Sequence, residues 1–331
     1  MKAVVIPQFG TADVLEVREM PVPEPGPGEV AIDVAYAGVN YAEVLYRRGV
    51  VDVPLPFIPG IEVSGTIRTL GEGVSGLRVG QPVAALTIVK SGGYAEVVVT
   101  AAALTFPLDE LPGNVDLVTA AAFPSNTTTA YLILSEVARI EQGESVLIHA
   151  AAGGVGSALG QVARRLGAGN VIGTVGRVEK MKYTKSLGYT HALLRQNFVE
   201  QVQQVTDSKG VDIVVDPVGG SVRTESLELL HPFGRLVAMG NASNAEDVAV
   251  STNHLWFTNK AVLGFNLAAY CAAFPQRANR AGRAALELVA QGKVHVAVTD
   301  VLPLEQASQA HRSIEQGTTV GKLVLRIGSS I

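Results

Sequence analysis

The residues most suited to chemistry sit in one glycine-rich turn. Residues 150–156 read AAAGGVG and stand between an apolar run at 146–150 and apolar residues at helical spacing, Leu159, Val162, Ala163 and Leu166. Residues without bulky side chains let a backbone approach a pyrophosphate, and free N–H groups at a helix start attract the anion. Ala151 takes the place of the first glycine of a G-x-G-x-x-G motif and leaves Ala150-x-x-Gly153-x-x-Gly156. Ala152, Gly153, Gly154, Val155 and Gly156 are therefore the candidate phosphate binders. The helix is expected from Ser157, with Gly167 and Gly169 ending it and a second strand over 171–175. Strand, turn, helix and strand make a βαβ unit of dinucleotide-binding length.

The tip of the second strand indicates which dinucleotide. A site for NAD places Asp or Glu there, against the ribose 2′-hydroxyl. Here the tip is Val175-Gly176-Arg177, followed by Lys180, and Arg195 ends the third expected strand. Cations without a carboxylate suit a 2′-phosphate through charge-assisted hydrogen bonds, so the cofactor expected is NADPH. The competing reading is a solvated helix start, and Glu179 among the cations favours it.

Other chemistries find little support. The chain has six histidines, and His149, inside the first strand of the unit, reads as core; none accompanies a serine or cysteine motif for hydrolysis. Cys271 is the single cysteine, so an intrachain disulfide framework and a multi-cysteine zinc site are excluded. A net charge of −4 with no basic tract argues against nucleic acid as a partner. The N-terminal apolar run is too short for a signal peptide and no 18-residue apolar span follows, so a soluble, cytoplasmic protein without a membrane partner is expected.

The elements that must position these residues follow from patterning. At 331 residues, 47% apolar and 17% charged, the chain is long enough for two domains with substantial cores. Residues 2–6, 15–20, 30–37, 64–70 and 94–100 are short valine-rich runs punctuated by proline and glycine, with a helical stretch at 40–48. They suggest a β-rich, partly closed antiparallel barrel. From about residue 120 the texture becomes α/β. Helices are expected at 118–122, 128–138, 177–187, 198–206, 222–230 and 276–291, and strands at 192–194, 212–216, 235–239 and 261–265. That alternation gives a doubly wound parallel sheet, a Rossmann domain. The strand at 321–327 returns to the first domain. The domains expected are 1–122 and 266–331 for the β-rich catalytic part, with 123–265 inserted as the cofactor part.

Five motifs together carry a resemblance: AGVNYAEVLYRRG (37–49), PGIEVSG (59–65), AAGGVG (151–156), VVDPVGG (214–220) and GKLVL (321–325). Over nearly its whole length the chain resembles the medium-chain dehydrogenase/reductase superfamily, in its zinc-free quinone oxidoreductase branch. The resemblance implies a GroES-like catalytic domain and hydride transfer from NADPH to a quinone or an α,β-unsaturated carbonyl. Reduction of an enone or enoyl C=C bond is the alternative, and a catalytically silent NADPH-binding sensor or structural protein is a third. It implies that Asn40 and Thr128 lie near the nicotinamide and that Val218, Asn241 and Asn266 face the cofactor. The competing role for each Asn or Thr is local turn capping. Tyr46, with Tyr41 nearby, is a candidate hydrogen-bond or proton donor, although some relatives carry the tyrosine where Leu45 stands. Zinc-dependent members carry Cys near Gly38 or Val39, His before Glu where Ile61-Glu62 stands, and a four-cysteine lobe after about Leu86; residues 86–93 are too few for the lobe. No metal is expected, and Glu62 is expected to bond or pair with Arg47 or Arg48. Family members dimerise through the cofactor domain's edge strand, so a homodimer through 261–265 is expected.

Overall fold

The computed structural model describes residues 1–328. The chain forms two compact units: residues 1–128, 267–292 and 296 onward make the first, and residues 129–266 with 293–295 make the second. The chain thus leaves the first unit six residues later than the expected break at 122/123.

The first unit opens with β1 (Lys2–Val5), β2 (Glu16–Glu19), β3 (Glu29–Val39), α1 (Tyr41–Arg47), β4 (Glu62–Leu70), β5 (Pro82–Leu86), β6 (Val97–Ala101), β7 (Thr105–Pro107) and α2 (Leu117–Ala122). Next, α3 (Pro124–Leu132) carries the chain across the boundary. The second unit runs β8 (Val146–Ile148), α4 (Gly154–Arg165), β9 (Val171–Val175), α5 (Met181–Thr184), β10 (His191–Leu194), α6 (Phe198–Val205), β11 (Val211–Asp216), α7 (Ser221–Glu228), β12 (Leu230–Ala238), α8 (Thr252–Thr258) and β13 (Ala261–Gly264). The return to the first unit supplies α9 (Leu267–Ala273), α10 (Pro275–Ala290), β14 (Val298–Pro303), α11 (Ala307–Glu315) and β15 (Lys322–Arg326).

The second unit's sheet has the order β10-β9-β8-β11-β12-β13, and every pairing in it is parallel. That order reverses between β8 and β11, and ligands of such sheets bind beyond the strand ends at that point. β8 and β9 are buried along their whole length, and strands buried on both faces read as near-continuous apolar runs. Two expectations need correction here. The helix after the glycine turn begins at Gly154, with Gly153 as its N-cap, so Val155 and Gly156 belong to its first turn. The helix expected over 177–187 is broken: a 3₁₀ turn at Val178–Lys180, four residues of α5 and a second 3₁₀ turn at Lys185–Leu187. Only Thr184 and Leu187 are buried there, too little apolar surface to stabilise three regular turns.

In the first unit, β14-β15-β3-β4-β5-β7 form one sheet and β6 pairs with β3, making seven strands. The β3 strand pairs with β4 along one edge and shares the other between two strands. Its N-terminal half pairs with β6, and its C-terminal half with β15, Leu323 opposite Val39. The returning strand therefore runs antiparallel beside the residues that lead into α1, and this register builds the polar site described next.

Candidate active site

Close packing shapes the glycine turn. Ala150 takes a left-handed conformation (φ 54°) as the chain leaves β8. A Cβ added to Gly156 would lie 2.3 Å from the Ala150 carbonyl oxygen and 2.8 Å from the Ala151 Cα, all backbone. Glycine at 156 is thus what lets the start of α4 rest on the turn. The Tyr189 hydroxyl donates to the Gly156 carbonyl at 2.6 Å and pins the helix from the other side. The first N–H groups of α4 have no intrahelical partner and no acid lies in its first turn, so a phosphate suits this end.

The strand tips gather positive charge. The Arg195 N–H donates to the Val175 carbonyl at 2.8 Å, joining the tips of β9 and β10. The Arg195 guanidinium lies over Gly176, 3.4 Å from where a Cβ would stand. Burial and then the neighbouring Arg177 charge lower the pKa of Lys180, so these two cations feel one another. A cavity of about 590 Å³ opens beside them, lined by Gly176, Arg195, Asn197, Phe198, Ser221 and Glu225 among others. Beneath it His149 is fully buried, its Nε2 2.8 Å from Ser226 Oγ and its Nδ1 2.8 Å from Thr174 Oγ1. Ser226 gives its own proton to the Val222 carbonyl, so Nε2 donates and Nδ1 accepts. Burial lowers this imidazole to about 4, which keeps it neutral, and its ring meets Phe198 edge-on at 4.9 Å. His149 is a core residue, as expected, but it lies just past the end of β8 rather than inside the strand.

Across β11, the fully buried Asp216 carboxylate accepts from the Val218 N–H at 2.7 Å, the Gly219 N–H and Arg223 Nε at 2.8 Å, which fixes the loop carrying Val218. The Asn241 amide donates to the Ala245 carbonyl at 2.8 Å and accepts from Ser243 Oγ, so its side chain closes its own turn. Gly219 (φ 79°) leaves the space that Asn241 Oδ1 fills, 2.3 Å from a Cβ placed there. Asn266 is exposed, just past β13.

The first unit holds a buried polar cluster. Asn40 is the N-cap of α1, and Glu43, at the third helical position, accepts from the Asn40 N–H at 2.7 Å, one arm of a capping box. Glu43 also accepts from the Ile61 N–H at 3.2 Å. Burial raises its carboxyl to about 7, against the opposing pull of Lys322. Glu62 opens β4 in the space left by Gly38, where a Cβ would stand 2.4 Å from Glu62 Oε1. Lys322 Nζ donates to Glu62 Oε1 at 2.5 Å and to Asn40 Oδ1 at 2.6 Å; Asn40 Nδ2 donates to Glu62 Oε1 at 2.8 Å, and Glu62 Oε2 accepts from the Ser125 N–H at 2.7 Å. The expected partners of Glu62 are corrected here. Arg47 instead pairs with Glu315 at 2.7 Å and donates to the Gly10 carbonyl, because its place at the end of α1 turns it toward α11; Arg48 is exposed. The ammonium came from the return strand, whose register no local pattern states. Glu43 and Lys322 were also not singled out from sequence; a lysine heading an apolar strand, GKLVL, was the available signal.

An ammonium between amide and carboxylate does not fit a metal, since a protonated amine offers no lone pair. Among the described residues, no three His, Cys, Asp or Glu side chains gather as a ligand set. Tyr46 is half-buried, its ring edge-on to Phe57 at 5.7 Å, and burial, then the Glu43 charge, raises its phenol to about 12. Thr128 Oγ1 and Asn126 Nδ2, both buried on α3, have no hydrogen-bond partner, which marks Asn126 as a further candidate.

Two family descriptions match the chain: an alcohol dehydrogenase GroES-like domain over residues 26–110 and a zinc-binding dehydrogenase domain over residues 154–290. The rat synaptic vesicle membrane protein VAT-1 homolog is 32% identical, the match covering 98% of this chain and 84% of that protein. A 2-haloacrylate reductase from a Burkholderia species is 31% identical over 98% of both. The crystal structure of Escherichia coli quinone oxidoreductase complexed with NADPH superposes with a TM-score of 0.90 at 28% identity, covering 98% of this chain and 100% of that one.

Proposed function

The chain belongs to the medium-chain dehydrogenase/reductase superfamily, in its zinc-free quinone oxidoreductase-like branch, and is an oxidoreductase; from that premise we propose that it reduces quinones with NADPH. The observation that carries this reading is the Asn40–Glu62–Lys322 cluster, a buried set of hydrogen-bonding groups next in the chain to Val39 and Ile61, where the resemblance puts the ligands of zinc-dependent relatives.

NADPH, when bound, supplies a hydride. The open N–H groups of α4 and the Gly153–Gly156 backbone hold its pyrophosphate. Arg177, Lys180 and Arg195 hold the 2′-phosphate, and an anion there relieves the repulsion between Arg177 and Lys180. Negative charge that grows on an acceptor oxygen is met by N–H and O–H donors, with Asn40 and Tyr46 in that role. Tyr46 keeps its proton at neutral pH, because burial holds its phenol near 12. Thr128 Oγ1 offers a further unspent hydroxyl. Hydrogen bonds alone suffice best for a conjugated acceptor, whose electrons accept hydride without strong polarisation.

The likeness to 2-haloacrylate reductase supports C=C reduction as the second reading. A panel of quinones, enones, enoyl thioesters and simple ketones with NADPH decides between them. The highest kcat/KM on quinones supports the proposal, and the highest on enones favours C=C reduction. Tight NADPH binding without turnover on any member refutes both and leaves a silent binder.

For assembly, we propose a homodimer through β13, the edge of the six-stranded sheet. Phe233, Trp256 and Phe257, 70–79% exposed, give this region the apolar surface that a second copy would cover. No helix among the described residues is long and apolar enough to cross a membrane, and a cytoplasmic location is part of the proposal.

A further inference from the structure

The buried cluster also fixes the polarity of its own amide. An asparagine side chain has two ends of nearly the same shape, and its surroundings choose which faces which way. Here the choice is strongly made. Lys322 Nζ holds Asn40 Oδ1 at 2.6 Å, and Glu62 Oε1 accepts from Asn40 Nδ2 at 2.8 Å. Turning the amide over would set its NH₂ group against an ammonium and its oxygen against a carboxylate. All three side chains are buried, so water does little to soften either contact. Glu43 adds a third anchor by holding the Asn40 backbone N–H. The ammonium is itself held by Glu62, and Glu62 by the Ser125 N–H at 2.7 Å. Of the two hydrogens on Asn40 Nδ2, Glu62 takes one. The other is the donor left for a ligand, and withdrawal of electrons toward the ammonium at Oδ1 strengthens it.

We propose that Lys322 is a positioning residue: together with Glu62 it holds Asn40 so that this side chain offers an N–H to a ligand's carbonyl oxygen. This rests on the reductase reading given above. The ligand chemistry is a carbonyl oxygen, from the electron acceptor or from the carboxamide of the nicotinamide. A hydroxyl or amine donor is disfavoured at the same place, because the amide oxygen is already engaged by the ammonium.

The test uses the full chain in two variants. Lys322→Met removes the ammonium but leaves Glu62 buried without its cation, so it carries a folding risk. Lys322→Met with Glu62→Gln removes both charges at similar volume. Hydrogen exchange of the Asn40 side-chain amide, followed after selective ¹⁵N-asparagine labelling, reads the positioning directly and needs no turnover. It is expected to be at least about tenfold faster in the double variant than in the wild type, as a hydrogen-bonded group is released. In steady-state assays the double variant is expected to lose about tenfold in kcat/KM, less than removing an oxyanion donor outright. In an Asn40→Ala background the same two substitutions are expected to change the rate less than about twofold, since Lys322 acts through Asn40.

The arms separate the two carbonyl sources. A loss of NADPH affinity in a fluorescence titration assigns the oxygen to the cofactor's carboxamide, and unchanged affinity with a lower kcat/KM assigns it to the acceptor. Equal losses with and without Asn40, or wild-type amide exchange in the double variant, overturn the proposal. Absence of turnover in the wild type overturns the reductase reading alone, because the exchange measurement still reads the positioning.

Discussion

Replacing Gly156 by alanine tests the proposed cofactor cradle most directly. The added methyl would stand 2.3 Å from the Ala150 carbonyl oxygen and 2.8 Å from Ala151 backbone atoms. No side chain can rotate away, because the obstacles are backbone. The start of α4 must withdraw by roughly 1 Å, the gap between 2.3 Å and the 3.4 Å at which ordinary contact begins. That shift also strains the bond from the Tyr189 hydroxyl to the Gly156 carbonyl. Overpacking of this kind costs about 1–3 kcal/mol, and melting should fall by a few degrees. The same shift moves the helix N–H groups off a pyrophosphate, so NADPH binding should weaken at least about tenfold. Differential scanning calorimetry and a fluorescence titration read the two effects on one sample. Wild-type melting and wild-type NADPH affinity in Gly156→Ala, with α4 undisplaced, would refute the close-packing argument.

Two further outcomes are expected. Arg177→Ala combined with Lys180→Ala should raise KM for NADPH about ten- to a hundredfold while moving that for NADH only about twofold; equal effects on both cofactors would remove the 2′-phosphate assignment. Glu43 should make the protein less stable as pH rises. Its carboxyl sits near 7 when folded against 4.5 when unfolded, so the folded state holds the extra proton between those values. The stabilisation is complete below about pH 4.5 and is lost by about pH 7, to a total of about 3 kcal/mol. Urea midpoints measured across that range should show this slope in the wild type and lack it in Glu43→Gln.

How much was legible in the sequence differs between the units. In the second unit nearly every strand could be placed, because a parallel sheet buried on both faces writes itself as apolar runs such as Val146–Ile148 and Val171–Val175. The boundary at Gly154 was less legible, since glycines read as turn residues and only the fit of Gly156 against Ala150 places it inside a helix. In the first unit, β5 gives no alternation because four of its five residues are buried. The partner of Glu62 was not legible at all. Lys322 lies 260 residues along the chain, and it arrives only through the pairing of β15 with β3. Charge patterns report neighbours in sequence, whereas this ion pair depends on sheet register. The same limit hid the link between Tyr189 and Gly156.

The missing first glycine of the cradle has a structural answer in the neighbouring strand. Ala151 carries a methyl where the usual motif has none. Its N–H donates to the Thr174 carbonyl at 3.0 Å, so the turn is laced directly to β9. On β9 the residue just before Thr174 is Gly173, and a Cβ there would stand 2.7 Å from the Ala151 methyl. The two positions share one space, and the chain spends it on Ala151. The Tyr189 ring fills the rest, 2.6 Å from the same Cβ position, and its hydroxyl then reaches Gly156. The glycine that makes this room therefore stands on the facing strand rather than in the turn. Closeness between the turn and α4 is kept by Gly156, and closeness between the turn and β9 is kept by Gly173. A motif counted along the chain scores this turn as incomplete, although its close contacts with α4 and with β9 are both made.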